Sequence, residues 1–241
     1  MKAMIFAAGM GTRLKPLTDT MPKALVPVSG RPLLQILLDR LYAAGFDSAV
    51  INVHHFAQQI IDYIQNNPQP MDISISDESA MLLETGGGIR HAMRFFNDGQ
   101  PFLVHNVDIL HNADLKTFYE TCAHTADATL LVSPRDTQRY LLIDDEDRLV
   151  GWTNIKTGQV KSPYQDLNPD QYRKMAFSGI HIFSPQLIPL MYTWPEKFSI
   201  IDFYLAICHR FTIKVCVKED LKLVDVGKLD TLARAEEFLK A

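Results

Sequence analysis

The densest group of residues that could do chemistry lies close to the N-terminus. A short apolar run leads into a loop that holds Gly9 and Gly11, and Arg13 follows directly. Glycine lets backbone N–H groups come close to a phosphate, and the guanidinium of arginine offers two parallel donors to phosphate oxygens. Lys15 and Lys23 add two point charges. The pattern predicts a site for a phosphate-bearing ligand.

Two common phosphate loops do not match this segment. The Walker A pattern GxxxxGK[ST] is absent, and Gly9-Met10-Gly11 is followed by Thr, Arg and Leu, so the GxGxxG fingerprint of dinucleotide-binding domains is incomplete. No helical pattern begins there, which further disfavours a dinucleotide site.

Two further segments could contact a ligand. Asp108 follows the apolar run Phe102–His105, and the carboxyl ends of parallel strands are where doubly wound sheets bind ligands. The second segment, Leu83–Ile89, contains three consecutive glycines before a helical pattern at Gly88–Phe96. Glycines before a helix would let a planar base lie against the backbone, whose N–H and C=O groups could read its edge.

The elements that must position these residues alternate between short apolar runs and amphipathic patterns. The predicted strands are Ala3–Ala7, Ala49–Val53, Ile73–Ser76, Phe102–His105, Thr129–Val132 and Gly179–Phe183. The predicted helices of the first half are Pro32–Ala44, Ala57–Ile64, Gly88–Phe96 and Leu115–Ala123. This alternation predicts an α/β fold with a Rossmann-like, doubly wound, mixed and mainly parallel sheet.

The second half loses that rhythm. Tyr140–Ile143 and Leu149–Thr153 predict a β-hairpin, and the polar stretch Lys156–Lys174 predicts a long surface loop. The remaining pattern predicts a strand, two helices, two short strands and a last helix at Leu229–Leu239. Because the chain ends directly after that helix, we expect residues 1–241 to form a single domain.

The amino-acid composition argues against several classes of function. Of 241 residues, 24 are Lys or Arg and 28 are Asp or Glu, and the resulting net charge of −4 argues against a nucleic-acid or anionic-membrane partner. Three widely spaced cysteines suggest neither a zinc site nor a disulfide framework. No apolar run approaches the roughly 18 residues of a membrane span. We therefore expect a cytoplasmic protein.

The segment Ala7–Leu34 closely resembles the signature of the sugar-1-phosphate nucleotidyltransferases. That signature has a small-Gly-x-Gly-Thr-Arg-Leu loop, then Pro-Lys, then a Pro-x-x-Gly-x-Pro turn into a helix. The resemblance implies a GT-A-like nucleotidyltransferase fold, with a nucleotide-binding half at about 1–125 and a sugar-binding half at about 126–241. It implies transfer of a nucleotidyl group from a nucleoside triphosphate to a sugar 1-phosphate, with release of pyrophosphate.

The resemblance also assigns roles to residues. Arg13 would stabilise the leaving pyrophosphate and Lys23 would neutralise the α-phosphate, so both are expected to be catalytic. Nucleotide binding is expected of Ala8, Gly9, Gly11, Thr12, Arg13, Lys23, Glu78, Glu84, Thr85 and Gly86. Asp108 and Asp225 would hold Mg²⁺, and sugar-phosphate binding is expected of Asn106, Lys156, Ser178 and Gly179.

This chain departs from the family pattern in three places. Val107 replaces a glycine before the first aspartate, and Lys228-Leu229 replace Thr-Pro after the second. The Glu-Lys-Pro segment after the hairpin, which contacts sugar and α-phosphate in the family, is not matched, since Thr153–Thr157 stands there. Lys156 is the candidate replacement for that lysine.

The expected substrates follow from the Glu-Thr-Gly-Gly-Gly-Ile form of residues 84–89 and from Phe177–Ile180. These segments look most like the uridylyltransferases of the family that act on N-acetylmuramate 1-phosphate in cell-wall recycling. The alternatives are a guanylyltransferase acting on mannose 1-phosphate, a thymidylyltransferase acting on glucose 1-phosphate, or an inactive nucleotide-sugar-binding regulator. A molybdopterin-cofactor nucleotidyltransferase ranks lower. The expected assembly is a monomer or a homodimer.

Overall fold

The computed structural model describes residues 1–240. Its α-helices are α1 (Leu33–Ala43), α2 (Ala57–Asn66), α3 (Glu84–Ala92), α4 (Leu115–Cys122), α5 (Ile188–Met191), α6 (Ile200–Ile207) and α7 (Asp230–Lys240). Its strands are β1 (Lys2–Phe6), β2 (Pro27–Val28), β3 (Arg31–Pro32), β4 (Ser48–Val53), β5 (Asp72–Asp77), β6 (Phe102–Asn106), β7 (Ile109–His111), β8 (Ala128–Ser133), β9 (Arg139–Ile143), β10 (Leu149–Asn154), β11 (Gln159–Lys161), β12 (Arg173–Phe183), β13 (Ile213–Val217) and β14 (Leu223–Asp225). No helix within residues 1–240 is both long and apolar enough to span a membrane.

One ten-stranded sheet organises the molecule. Its main path runs β11-β10-β9-β12-β6-β1-β4-β5, and β8 joins it by pairing with β12 and with β13. Strands β1, β4, β5 and β6 are mutually parallel, and β12 is antiparallel to both β6 and β8. Strand β8 therefore runs in the same direction as β6. This mixed and mainly parallel sheet confirms the expected α/β fold.

Helices cover both faces of the sheet because the apolar residues of its central strands alternate between two cores. In β1, Met4 packs in one cluster with residues of α3, α5 and α6, whereas Ala3 and Ile5 pack in the other with residues of α1, α2 and α4. A third, smaller cluster joins α7 to the residues that flank the N-terminal loop.

The carboxyl ends of β1, β6 and β8 meet at one edge of the sheet, because these strands run in the same direction. The N-terminal loop leaves β1 at this edge, and Asp108 follows β6 there. Strand β12 passes the same edge in the opposite direction, so Gly179 lies beside the end of β6. The topology thus gathers residues that are far apart in sequence.

Two of the sequence expectations were wrong in detail. The helix predicted at Gly88–Phe96 begins at Glu84, so the three glycines lie inside α3 rather than before it. The stretch Lys156–Lys174 is not a single loop, because β11 pairs with β10 and the long strand β12 begins at Arg173. The polar residues of β11 and of the start of β12 form no apolar run, so the predicted strand Gly179–Phe183 covers only the second part of β12.

Candidate active site

A cleft of about 530 Å³ opens at the edge of the sheet where β1 and β6 end. Most of the predicted nucleotide-binding residues line it. The lining residues are Phe6–Arg13, Lys23, Asn52, Glu78, Leu82, Glu84, Thr85, Asn106–Asp108, Ser199 and Gly227. With the exception of Ser199 and Gly227, all of them lie in the first 125 residues of the chain. We call this cleft the first cavity.

A buried amide holds the base of the phosphate loop. The Oδ1 atom of Asn52 accepts hydrogen bonds from the backbone N–H groups of Ala7 at 2.7 Å and Ala8 at 3.3 Å. The Nδ2 atom of Asn52 donates in turn to Glu78 Oε1 at 2.8 Å. Asn52 thereby ties the point where β1 becomes a loop to the end of β5, and it fixes where the following N–H groups point.

Glu78 lies under the first cavity rather than in its mouth. Its residue surface is 2% exposed, and its second oxygen accepts from the N–H of Leu83 at 3.4 Å. Burial raises the pKa of Glu78, and the hydrogen bond from Asn52 acts in the opposite direction. Both carboxylate oxygens are therefore used within the protein, so the geometry favours Glu78 as a support for Asn52.

Cations and carboxylates converge at the other end of the first cavity. Lys23 is almost fully buried, and its Nζ atom forms an ion pair with Asp108 Oδ2. Asp225 comes to the same place because β14 pairs with β7, and the N–H of Val226 donates to the carbonyl of Asp108 at 2.8 Å. Arg13 approaches from the phosphate loop: a Cβ atom added to Gly227 would lie 2.8 Å from Arg13 Nη2 and 2.7 Å from Asp225 Oδ1.

The two aspartates influence each other electrostatically. Desolvation in the cleft raises the pKa of Asp225, although its side chain keeps access to solvent, and the carboxylate of Asp108 raises the pKa further. Lys23 and Arg13 lower the pKa of Asp225. Two like charges held close together, with oxygen as the only donor type, fit a hard divalent cation whose remaining positions are filled by phosphate and water. Residues 1–240 contain no cluster of three or more His, Cys, Asp or Glu that would form a metal site from the protein alone.

The triple glycine serves close packing on a neighbouring loop. The N–H groups of Gly86 and Gly87 donate to the carbonyl of Phe198 at 2.8 Å and 3.3 Å. A Cβ atom on Gly86 would lie 2.3 Å from the Phe198 ring, and one on Gly87 would lie 2.4 Å from the carbonyl oxygen of Glu196. Gly86 is buried and does not line the first cavity, whereas its neighbours Glu84 and Thr85 do.

A buried histidine pair braces the segment that carries Asp108. The Nε2 atoms of His105 and His111 are 2.9 Å apart. His105 Nδ1 contacts the carbonyl of Asn106 at 2.7 Å, and His111 Nδ1 accepts from the N–H of Ala113 at 3.0 Å. These contacts assign the shared proton to His111 Nε2, which donates to His105. Burial lowers the pKa of His105 to about 4, so the pair stays neutral near pH 7.

A second cavity of about 570 Å³ lies beside the first, and Ser199 lines both. All of its lining residues come from the second half of the chain. They are Arg135, Thr137, Arg139, Leu141, Trp152, Asn154, Gln159, Lys161, Phe177, Ser199, Ile201, Asp202 and Leu205. Lys161 forms an ion pair with Asp202 at 2.7 Å and lies over the ring of Trp152.

The structure separates the four residues that were expected to bind the sugar phosphate. Asn106 lines the first cavity, and Gly179, at φ +80°, packs so closely on it that a Cβ atom would lie 2.7 Å from Asn106 Nδ2. Ser178 is buried behind the site, where its hydroxyl donates to the carbonyl of Leu131 at 2.7 Å. Lys156 lies exposed in the turn between β10 and β11 and lines neither cavity.

None of the residues that line the second cavity was predicted as a site residue, and Asn52 and Ser199 of the first cavity were not predicted either. Asn52 left a signal, because it is a polar residue inside the apolar strand Ala49–Val53. Arg135 and Ser199 belong to no motif, and only the topology brings them to the site.

The known proteins that this chain resembles are nucleotidyltransferases, which agrees with the geometry of the site. The model of the nucleotidyl transferase family matches residues 2–241. The chain is 47% identical over 109 residues to the N-acetylmuramate alpha-1-phosphate uridylyltransferase of Caulobacter vibrioides, a match that covers 44% of this chain and 45% of that protein. It is 45% identical over 124 residues to the enzyme of the same name from Neisseria meningitidis, covering 51% and 53%. These alignments span about half the length of either relative.

A solved structure extends the likeness to the whole fold. The crystal structure of HddC from Yersinia pseudotuberculosis, complexed with GMP-PN, has a TM-score of 0.77 and 25% sequence identity, and the match covers 99% of both chains. The family match over residues 2–241, together with the cluster of Arg13, Lys23, Asp108 and Asp225 at the end of the sheet, establishes that this chain belongs to the nucleotidyl transferase family.

Proposed function

We propose that this protein transfers the uridylyl group of UTP to N-acetylmuramate 1-phosphate. In this reaction an oxygen of the sugar phosphate attacks the α-phosphorus of UTP. The bond from that phosphorus to the bridging oxygen breaks, and the electron pair leaves with pyrophosphate. The observation that carries the proposal is the convergence of Arg13, Lys23, Asp108 and Asp225 at one end of a cleft that is open to a nucleotide.

The residues of the first cavity have complementary tasks in this transfer. The backbone of Gly9–Thr12 binds the triphosphate, and Lys23 neutralises charge at the α-phosphate. Arg13, which is exposed at the mouth of the cleft, stabilises the pyrophosphate as it leaves. Glu84 and Thr85 lie at the opposite end, where the uracil ring binds against the first turn of α3.

Asp108 and Asp225 are the proposed Mg²⁺ ligands. When bound, the ion supplies positive charge beside the phosphate oxygens. The two carboxylates hold it, and the histidine pair keeps the segment Asn106–Asp108 in place. Without the ion, Lys23, Arg13 and Arg135 would have to offset the repulsion between the two carboxylates.

The proposed division of the single domain into two halves follows the two cavities. The nucleotide binds in residues 1–125, and the sugar binds in residues 126–241, where the second cavity lies. This second cavity has three cations, Arg135, Arg139 and Lys161, against one carboxylate, Asp202. N-acetylmuramate carries a carboxylate that glucose and mannose lack, so the surplus of positive charge favours it.

A guanylyltransferase is the second candidate, because the solved structure of HddC holds GMP-PN and matches nearly all of this chain. Guanine offers an exocyclic amine that needs an acceptor. Glu84 could supply one, since its side chain is exposed at the cavity and its contact with Lys197 is a long 3.7 Å.

Pyrophosphate release over a grid of five nucleoside triphosphates and several sugar 1-phosphates tests the proposal. We expect kcat/KM for UTP to exceed that for GTP, CTP and ATP by at least about tenfold, because a wrong base leaves buried polar groups unpaired. Deoxythymidine triphosphate should be a weaker substrate than UTP. A preference for GTP with mannose 1-phosphate would establish the guanylyl alternative, and no release with any pair would indicate an inactive nucleotide-sugar-binding protein.

A further inference from the structure

No cationic side chain that lines the two cavities has yet been assigned to the acceptor's phosphate. Its dianion must approach the α-phosphate at the junction of the two cavities, and Lys23 is already paired with Asp108. The lysine that other family members place after the hairpin is missing here, and its sequence candidate Lys156 lies away from both cavities. A further cation at that junction is therefore needed.

The geometry points to Arg135 as the residue that binds the phosphate of the sugar 1-phosphate. This inference rests on the proposed transfer reaction. Arg135 follows β8, whose carboxyl end lies on the same edge of the sheet as the end of β6, which leads to Asp108. The side chain lines the second cavity and is anchored on Phe177, two residues before Gly179, which packs against Asn106 of the first cavity. Arg135 is thus a cation of the second cavity that lies on the side of the first.

The guanidinium of Arg135 is held in place, but not all of its N–H donors have a hydrogen-bond partner. Nη2 donates to the carbonyl of Phe177 at 2.9 Å, which anchors the group beside β12. Nε is buried and has no hydrogen-bond partner among residues 1–240. Burial lowers the pKa of Arg135, and the carboxylate of Asp225 acts in the opposite direction. The part of this half-buried guanidinium that lines the cavity is suited to a charge-assisted contact with phosphate oxygens.

The other cations of the second cavity suit this role less well. Lys161 is paired with Asp202 at 2.7 Å and lies against Trp152, so its charge is already balanced. Arg139 is exposed at the start of β9. These two residues are better placed for the sugar ring and its substituents than for the phosphate at the junction.

Calorimetric titration of two acceptors tests the inference. Glucose 1-phosphate carries only the phosphate, whereas N-acetylmuramate 1-phosphate also carries a carboxylate. We expect Arg135→Gln to raise the Kd of both acceptors by about tenfold to a hundredfold, the range for a charge-assisted hydrogen bond. Arg135→Lys should recover part of the affinity. The Kd of UTP should not change in either variant.

The controls separate this inference from folding and from the reaction itself. Arg94→Gln removes the same charge from an exposed site away from both cavities, and it should leave acceptor affinity unchanged. Urea unfolding checks each variant, and Arg135→Lys decides the matter if Arg135→Gln does not fold. Unchanged affinity for both acceptors would overturn the inference, and so would a loss confined to N-acetylmuramate 1-phosphate, which would assign Arg135 to the carboxylate. Pyrophosphate release by the unaltered protein tests the proposed reaction independently.

Discussion

The two cavities are built in different ways. The first is held from below by buried polar contacts: Asn52 and Glu78 support the phosphate loop, and the pair His105–His111 braces the segment before Asp108. The second is lined by long side chains of a hairpin and its neighbours, and one of its three cations, Lys161, pairs with Asp202. If the proposed assignment holds, the buried contacts of the first cavity would fix the positions of the reacting phosphates, whereas the sugar would bind against longer side chains.

Replacing the carboxylates of Asp108 and Asp225 should have the largest effect, and it would sharpen the contrast between the two cavities. We expect Asp108→Asn and Asp225→Asn each to lower kcat by about 10²–10³-fold at saturating Mg²⁺, because each removes one of two groups that hold the same ion. The double variant should be little worse than either single variant. Steady-state pyrophosphate release measures this, with Asp145→Asn in the exposed hairpin turn as control. If both single variants bound Mg²⁺ unchanged in the presence of nucleotide, the assignment of the two aspartates as Mg²⁺ ligands would be wrong.

The next largest effect concerns Lys23. Lys23→Ala should cost about 2–4 kcal/mol of transition-state stabilisation, because it removes one preorganised charge at the reacting phosphate. The comparison of kcat/KM with the unaltered protein measures this cost, and Lys116→Ala, an exposed lysine on α4, is the matched control. Full activity in Lys23→Ala would place the catalytic charge elsewhere.

A smaller effect tests the packing beneath the nucleotide base. Gly86→Ala should lower the free energy of unfolding by about 1–3 kcal/mol, because its Cβ atom would lie 2.3 Å from the Phe198 ring. Gly9→Ala is the control, since no atom lies within 4 Å of a Cβ atom added there. Urea unfolding measures both variants. Equal stability of the two would show that α3 and the Phe198 loop move apart without cost.

The smallest effect concerns a buried histidine of the second half. Neither ring nitrogen of His181 has a hydrogen-bond partner within residues 1–240. His181→Phe should therefore raise the free energy of unfolding by about 1 kcal/mol at pH 7, because it removes an unpaired buried polar group. A loss of stability instead would mean that the imidazole has a bound partner in solution.

The same histidines make stability depend on pH. Burial lowers the pKa of His105 to about 4 and that of His181 to about 3, from the ordinary 6.5. The unfolded chain therefore binds protons first, so the free energy of unfolding should fall as the pH decreases from about 6.5 towards 4. Urea titrations across this range should show a shallower fall in His181→Phe. Identical slopes in both proteins would assign the acid sensitivity to other groups.

The contrast between the cavities also explains what the sequence could reveal. The phosphate loop and Asp108 were found because their glycines, cations and carboxylate follow apolar runs closely, and local spacing carries the information. Most strands of the central sheet could be predicted for the same reason, because each of them is a short apolar run. Asn52, by contrast, is held by Glu78, a residue 26 positions away, and this partnership leaves no local pattern.

The hairpin and the last helix of the second half were predicted, but the packing of the triple glycine and the lining of the second cavity were not, because tertiary contacts define them. The triple glycine was interpreted as a surface for the base, but its packing partner Phe198 is more than a hundred residues away. Lys156 was selected by its position after the hairpin, whereas Arg135 reaches the site through strand order. Motifs identify the residues proposed to bind phosphate, and the strand order of the sheet decides which other residues lie beside them.

Hydrogen exchange with each ligand tests most directly whether two separate cavities serve one transfer. We expect UTP with Mg²⁺ to protect the amides of Ala8–Thr12 and Glu84–Gly86 and to leave those of Arg135–Leu141 unchanged. N-acetylmuramate 1-phosphate, added with a non-hydrolysable UTP analogue, should then protect Arg135–Leu141. Protection of Arg135–Leu141 by UTP alone, or no protection there by the acceptor, would contradict the division of the site between the two halves.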